Sequence, residues 1–119
     1  MNSNALLKLI CAELDELKAK DIAVLNVGKF TTIADHLVVA SGTSGRHVRS
    51  VSENLFDAAK KAGAIPIGIE GREGSEWVLI DLGDVIVHVM LPATRDFYDI
   101  ERLWSGSAEE PPEPPRLEH

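Results

Sequence analysis

Cysteine occurs once in the 119 residues, at Cys11, which excludes an intrachain disulfide and a cysteine-based zinc site. Positive charge is short as well: 12 Lys and Arg stand against 19 Asp and Glu, a formal net charge of −7. Binding to nucleic acid depends on Lys and Arg neutralising phosphates, so an acidic body argues against direct specific nucleic-acid contact and against docking on an anionic membrane. It suits a basic partner, and it also serves plain solubility. Long apolar runs are missing, and nothing approaches the roughly 20 residues of a membrane span. Lys8, Glu13 and Asp15 interrupt the apolar residues near the amino terminus, and no small-residue cleavage site follows, so the segment does not read as a signal peptide. Arg-rich, acid-poor transit composition is lacking too. The expected location is a reducing cytoplasm.

The length fits one domain. A chain of this size buries roughly 65% of its unfolded surface, enough for a core without covalent staples. We place the domain at residues 1–104. The stretch Ser105-Gly-Ser-Ala-Glu-Glu-Pro-Pro-Glu-Pro-Pro has nothing to bury, and its prolines favour an extended chain. Residues 105–119 are therefore expected to form a disordered Pro/Glu-rich tail. Four glutamates against Arg116 give that tail −3 of the total charge of −7. Its final Leu117-Glu118-His119 resembles the start of an expression tag and is set aside.

Within the domain, Leu6, Leu7, Ile10, Leu14 and Leu17 recur with helical period over residues 4–19, with Ser3 or Asn4 placed to cap the start. Branched residues from Ile22 to Val27 and Leu37 to Ala40 read as strands. The Ser41-Gly42-Thr43-Ser44 segment then offers a hydroxyl cap to a helix over about 45–62, which Gly63 ends. Ile65 to Ile69 reads as a short strand held near an edge by Pro66. Trp77 to Ile80 and Val85 to Met90 form a hairpin, and a last helix spans about 94–104 with Phe97, Ile100, Leu103 and Trp104 as its apolar residues. The fold class is α/β: a mixed sheet of about five strands with three main helices.

Placing Leu82 and Gly83 as the two loop residues of the hairpin pairs Ile80 with Val85 and Trp77 with His88. Paired residues share a face. One face is then purely aliphatic: Val78, Ile80, Val85, Val87 and Val89. The other carries Trp77, Leu79, Ile86, His88 and Met90, with Asp81 and Asp84 at its rim. Two long helices suit the aliphatic face. The last helix is short, and two readings stay open: it covers the mixed face and Trp77 is core, or it leaves part of that face free as an interaction surface.

Tests for chemistry find no catalytic set. Gly42-Thr43-Ser44-Gly45-Arg46 follows a strand and opens a helix, as phosphate-binding turns do, but it lacks the spacing and the Lys of a Walker loop. It is also one residue short of a nucleophile elbow. A glycine turn plus helix cap accounts for it. Asp35-His36 and the set Asp81, Asp84 and His88 are metal-capable residue types, though turn-capping carboxylates and satisfied strand histidines account for them equally. Cys11 sits by the first helix's apolar stripe, where packing is the usual role. No cofactor is implied.

Three separated segments carry a resemblance: Gly42-Thr-Ser-Gly-Arg-His-Val-Arg-Ser, Pro66-Ile-Gly-Ile-Glu-Gly, and Trp77-Val-Leu-Ile-Asp-Leu-Gly-Asp-Val-Ile-Val-His-Val-Met. With Leu-Asp-Glu-Leu-Lys-Ala-Lys-Asp-Ile before them and Phe-Tyr-Asp-Ile-Glu-Arg-Leu-Trp after, the chain closely resembles the ribosomal silencing factor (RsfS, Iojap-like) family over about residues 4–104. That resemblance implies a nucleotidyltransferase-like fold without the catalytic carboxylates and without enzymatic activity. It implies binding to the large ribosomal subunit through its fourteenth ribosomal protein. Joining with the small subunit is thereby blocked, and translation is repressed under nutrient limitation. Matching motif positions puts the contact surface at Glu70, Trp77, Leu79, Asp81, Asp84, His88, Met90 and Tyr98. Trp77 and Tyr98 are then apolar anchors, and the carboxylates meet Lys or Arg. Two competing readings are a nucleotide-binding or nucleotidyltransferase-like enzyme, and a homodimer formed through the Trp77 face.

Overall fold

The computed structural model describes residues 2–104 and 108–109. In chain order these form α1 (Ser3–Glu16), β1 (Lys20–Asn26), β2 (His36–Ser41), α2 (Gly45–Lys61), β3 (Gly68–Glu70), β4 (Trp77–Asp81), β5 (Val85–Met90), α3 (Pro92–Tyr98), α4 (Ile100–Leu103) and β6 (Ala108–Glu109). The strands lie in the order β3-β4-β5-β2-β1-β6. The central β2–β5 pair is parallel and the others are antiparallel, so the sheet is mixed, as its sequence pattern implies.

Local chemistry sets the helix ends. The Asn2 side chain accepts from the Ala5 N–H at 2.8 Å. The cap is thus one residue earlier than expected, and Ser3 is released to approach Asp35 and Asp84 at 3.0 and 2.9 Å. Ser44 caps α2 by accepting from the His47 N–H at 3.1 Å. Gly63, at φ +98°, ends that helix in the left-handed conformation that glycine adopts without steric cost. Among the described residues no helix is long and apolar enough to cross a membrane.

The sheet separates two cores. On one side α1 and α2 bury Ile10, Leu14, Val48 and Leu55 against Val38, Val78, Ile80, Val87 and Val89. Cys11 lies in this core, where burial raises its thiol pKa to about 11, so it stays protonated and unreactive. On the other side Leu25, Val27, Leu37, Val39 and Met90 are closed by Ile100, with Trp77, Ile86 and Trp104 partly buried around them.

The hairpin differs from its expected register by two residues. Trp77 pairs with Met90, Leu79 with His88 and Asp81 with Ile86, and the Leu82 N–H donates to the Val85 carbonyl at 3.0 Å. The loop residues are therefore Gly83 and Asp84. Leu82 is buried, whereas Gly83, at φ +86°, supplies the positive φ that such turns require at their first position. A shift of two preserves the alternation of faces, so the division into an aliphatic and a mixed face stands.

The last helix is broken in two. Asp99, at φ +46°, stands between α3 and α4, and its N–H donates to the Arg95 carbonyl at 2.8 Å. Only Ile100 of the expected apolar set is buried, while Phe97 and Leu103 are exposed. Ala108–Glu109 pair with Val24 and Leu25, covering part of an edge that would otherwise present open backbone groups. The tail reading did not place them in the sheet, and the remainder of the expected tail lies outside the described residues.

Candidate interaction surface

Trp77 opens β4, and the preceding loop is shaped around it. Gly71 holds φ +91°, and a Cβ there would stand 2.2 Å from the Trp77 carbonyl oxygen, so only glycine permits this close approach. The half-buried indole donates its N–H to His88 Nδ1 at 2.8 Å. His88 therefore accepts at Nδ1 and, when neutral, carries its proton on Nε2. Burial lowers the His88 pKa to about 4, because taking an imidazolium out of water is unfavourable.

On its outer side the Trp77 ring meets Tyr98 at a centroid distance of 4.8 Å, and Tyr98 meets Phe97 edge-on at 5.0 Å. Phe97 is 80% exposed and Tyr98 54% exposed, so this aromatic series runs from the core into solvent. It is held by the break after α3. Half-buried Arg95 donates to Glu101 Oε1 at 2.7 Å and to Ser41 Oγ at 2.9 Å, fastening α3 and α4 to the end of β2. A bonded, mostly desolvated guanidinium fixes geometry better than a surface pair does.

Glu70 pairs with Leu79, which pairs with His88, and laterally paired residues share a face. A row thus runs across the sheet from exposed Glu70 through half-buried Leu79 to buried His88. The structure brings Glu70, Trp77, Leu79 and Tyr98 together as an accessible surface.

Four other expected contact residues are placed differently. Met90 is fully buried and His88 is 8% exposed, because Ile100 and Trp77 close over them; they support the surface from beneath. Asp81 lies on the same face but at the far end of β4, about 13 Å along the strand from Trp77 at the usual rise. Its carboxylate accepts from the Gly83 N–H at 2.9 Å, holding the turn. Asp84 sits in that turn beside Ser3. Neither aspartate rims the tryptophan. The sequence reading names Phe97 only as an apolar residue of the last helix and leaves it out of the contact surface, whereas the structure puts it 80% exposed beside Tyr98. The available signal is the shortness of that helix, which leaves its outer apolar residues in water.

Among the described residues no cluster of three or more His, Cys, Asp or Glu side chains is arranged to hold a metal ion. Asp81, Asp84 and His88 are spent on separate partners.

Comparison with known proteins agrees with this architecture. The family model described as "Ribosomal silencing factor during starvation" matches residues 1–118. Ribosomal silencing factor RsfS of Chromobacterium violaceum is 48% identical over 99 residues, covering 83% of this chain and 81% of that protein. The mouse protein named "Mitochondrial assembly of ribosomal large subunit protein 1" is 34% identical over 82% of this chain and 44% of its own length. A crystal structure of a Chromobacterium violaceum protein superposes with a TM-score of 0.87 at 44% identity, covering 92% of this chain and 91% of that one. With the family model, the sequence identity and the superposed fold in agreement, the chain belongs to the ribosomal silencing factor family.

Proposed function

We propose that this protein binds the large ribosomal subunit through its fourteenth ribosomal protein and sterically blocks joining with the small subunit, repressing translation when nutrients are scarce. The observation that carries this reading is the aromatic series Trp77–Tyr98–Phe97, open to solvent at its outer end and flanked by exposed Glu70. Desolvated aromatic anchors with a charged rim make an effective protein-binding surface, and the acidic rim suits a basic ribosomal protein. The name of the mouse relative, which refers to the ribosomal large subunit, points to the same particle.

The mechanism makes and breaks no covalent bonds. The domain occupies a docking surface, and its effect follows affinity and concentration by mass action. The family is one of regulatory factors rather than enzymes, which sets the nucleotidyltransferase-like reading aside. Action takes place where ribosomes assemble, in the cytoplasm.

Subunit joining on sucrose gradients tests the proposal. Added protein is expected to convert joined particles into free subunits. Trp77→Ala removes the anchor and is expected to weaken large-subunit binding by about 2 kcal/mol or more, roughly thirtyfold. Glu70→Lys reverses an exposed charge without touching the core and weakens binding in the same direction. Folded variants that co-sediment fully with large subunits, or joined particles that withstand excess protein, would refute the reading.

A further inference from the structure

A groove of about 510 Å³ opens between the end of α1, the start of β1 and the start of α2, with Lys18, Lys20 and Arg46 in its lining. No carboxylate lines it, whereas each of the four other surface cavities described carries at least one. In a chain of net charge −7, this is a local inversion of sign. None of the three cations belongs to an ion pair among the described residues, whose pairs use Arg49, Arg72 and Arg95. The volume falls within the range typical of small-ligand sites, roughly 300–1,000 Å³.

The groove has a fixed floor. His47 accepts from the Thr43 N–H at Nδ1, 2.9 Å away, and its Nε2 donates to the Leu17 carbonyl at 2.8 Å. One neutral imidazole thus ties the start of α2 to the end of α1. Two N–H groups around the start of α2 are already spent, Thr43 on His47 and His47 on Ser44, and the charge offered to a ligand is that of the cationic side chains. Lys18 also holds φ +63°, a backbone conformation in which glycine is the ordinary residue, so a lysine there carries a charge into the groove at a conformational cost.

We propose that this groove binds a phosphorylated small molecule of nucleotide size, with Lys18, Lys20 and Arg46 meeting the phosphate oxygens and Leu17 forming an apolar wall. A compact ligand engages these three charges within a Debye length of about 8 Å, while a long polyanion also meets the repulsion of the acidic body. The inference is independent of the ribosome-facing surface, whose anchors lie elsewhere.

Calorimetric titration of the full chain with a nucleoside diphosphate tests it, with inorganic phosphate and a short single-stranded RNA as parallel arms, and amide NMR shifts locate the site. The nucleoside diphosphate is expected to bind saturably below millimolar concentration, inorganic phosphate more weakly, and shifts to cluster at residues 17–20 and 43–50. Lys20→Ala and Arg46→Ala are each expected to weaken binding about tenfold. Lys18→Gly separates charge from folding, because it relieves backbone strain and raises the Tm while weakening the ligand. Absence of saturable binding, affinity unchanged when Lys18→Gly, Lys20→Ala and Arg46→Ala are combined, or RNA binding more tightly than the nucleotide with a steep salt dependence would each overturn the proposal.

Discussion

The two faces of the sheet are built to different ends. Beneath α1 and α2 the residues are aliphatic, and Val38, Val78, Ile80, Val87 and Val89 have no exposed surface. Beneath α3 and α4 the cover is only seven and four residues long, and the aromatic side chains continue past it into water. A close-packed aliphatic layer specifies one arrangement and resists change in volume. A stepped aromatic layer, buried at Met90 and free at Phe97, offers desolvation to a partner without unfolding the domain. Stability and recognition thus sit on opposite sides of one sheet.

If the division holds, the largest loss of stability comes from the closed side. Leu55→Ala removes a fully buried side chain facing the sheet and is expected to cost about 2–5 kcal/mol, through lost transfer energy plus a cavity. Denaturant unfolding measures it as a lower midpoint at unchanged m-value. A loss below 1 kcal/mol would mean that the α1–α2 side is loosely packed, and the comparison would fail.

The second effect is specific to the mixed face. His88 has its pKa lowered from 6.5 to about 4 by burial. It stays neutral in the folded protein at pH values where the unfolded chain already binds a proton. Its stabilising share is therefore fully present above pH 6.5 and is lost as pH falls towards 4, on the order of 3 kcal/mol in total. His88→Gln, whose amide oxygen can still accept from the Trp77 indole, is expected to flatten that part of the stability–pH curve. Thermal unfolding of both proteins between pH 7 and pH 4 provides the check. Curves of equal slope would show that burial beneath Trp77 does not hold the imidazole neutral.

How much of this was legible in the chain follows from what each residue pattern encodes. Alternation along Trp77–Asp81 and Val85–Met90 separates the faces, because side-chain parity survives a register shift of two. The register itself turns on which residue takes the positive φ, and the rule for two-residue loops, which puts glycine rather than leucine first, favours Gly83-Asp84 over Leu82-Gly83. Burial of Leu82 agrees with that choice. The expected contact set divides along the same line. Glu70, Trp77, Leu79 and Tyr98 are accessible because they stand at an edge or at the margin of a short helix. Met90 and His88 are closed over by Ile100 and Trp77, and that cover depends on the left-handed Asp99 and the Arg95 clamp. Neither leaves a periodic signal. Asp81 and Asp84 resemble a rim only while the strand's length separates them from Trp77 on paper rather than in space.

The smallest expected change in stability makes the sharpest use of the comparison. Phe97 is 80% exposed, touches Tyr98 edge-on and contributes to neither core. Phe97→Ser therefore leaves unfolding within about 0.5 kcal/mol of the parent, as surface substitutions away from structural features do. On the proposed reading the same ring is buried when the protein meets the large subunit, and its loss there costs apolar burial that the free domain never had. Co-sedimentation is expected to weaken measurably while the unfolding curve stays in place. An unchanged affinity would confine the recognition surface to Glu70, Trp77, Leu79 and Tyr98. A drop in both would show that the aromatic series serves the fold, and the two faces would then differ only in composition.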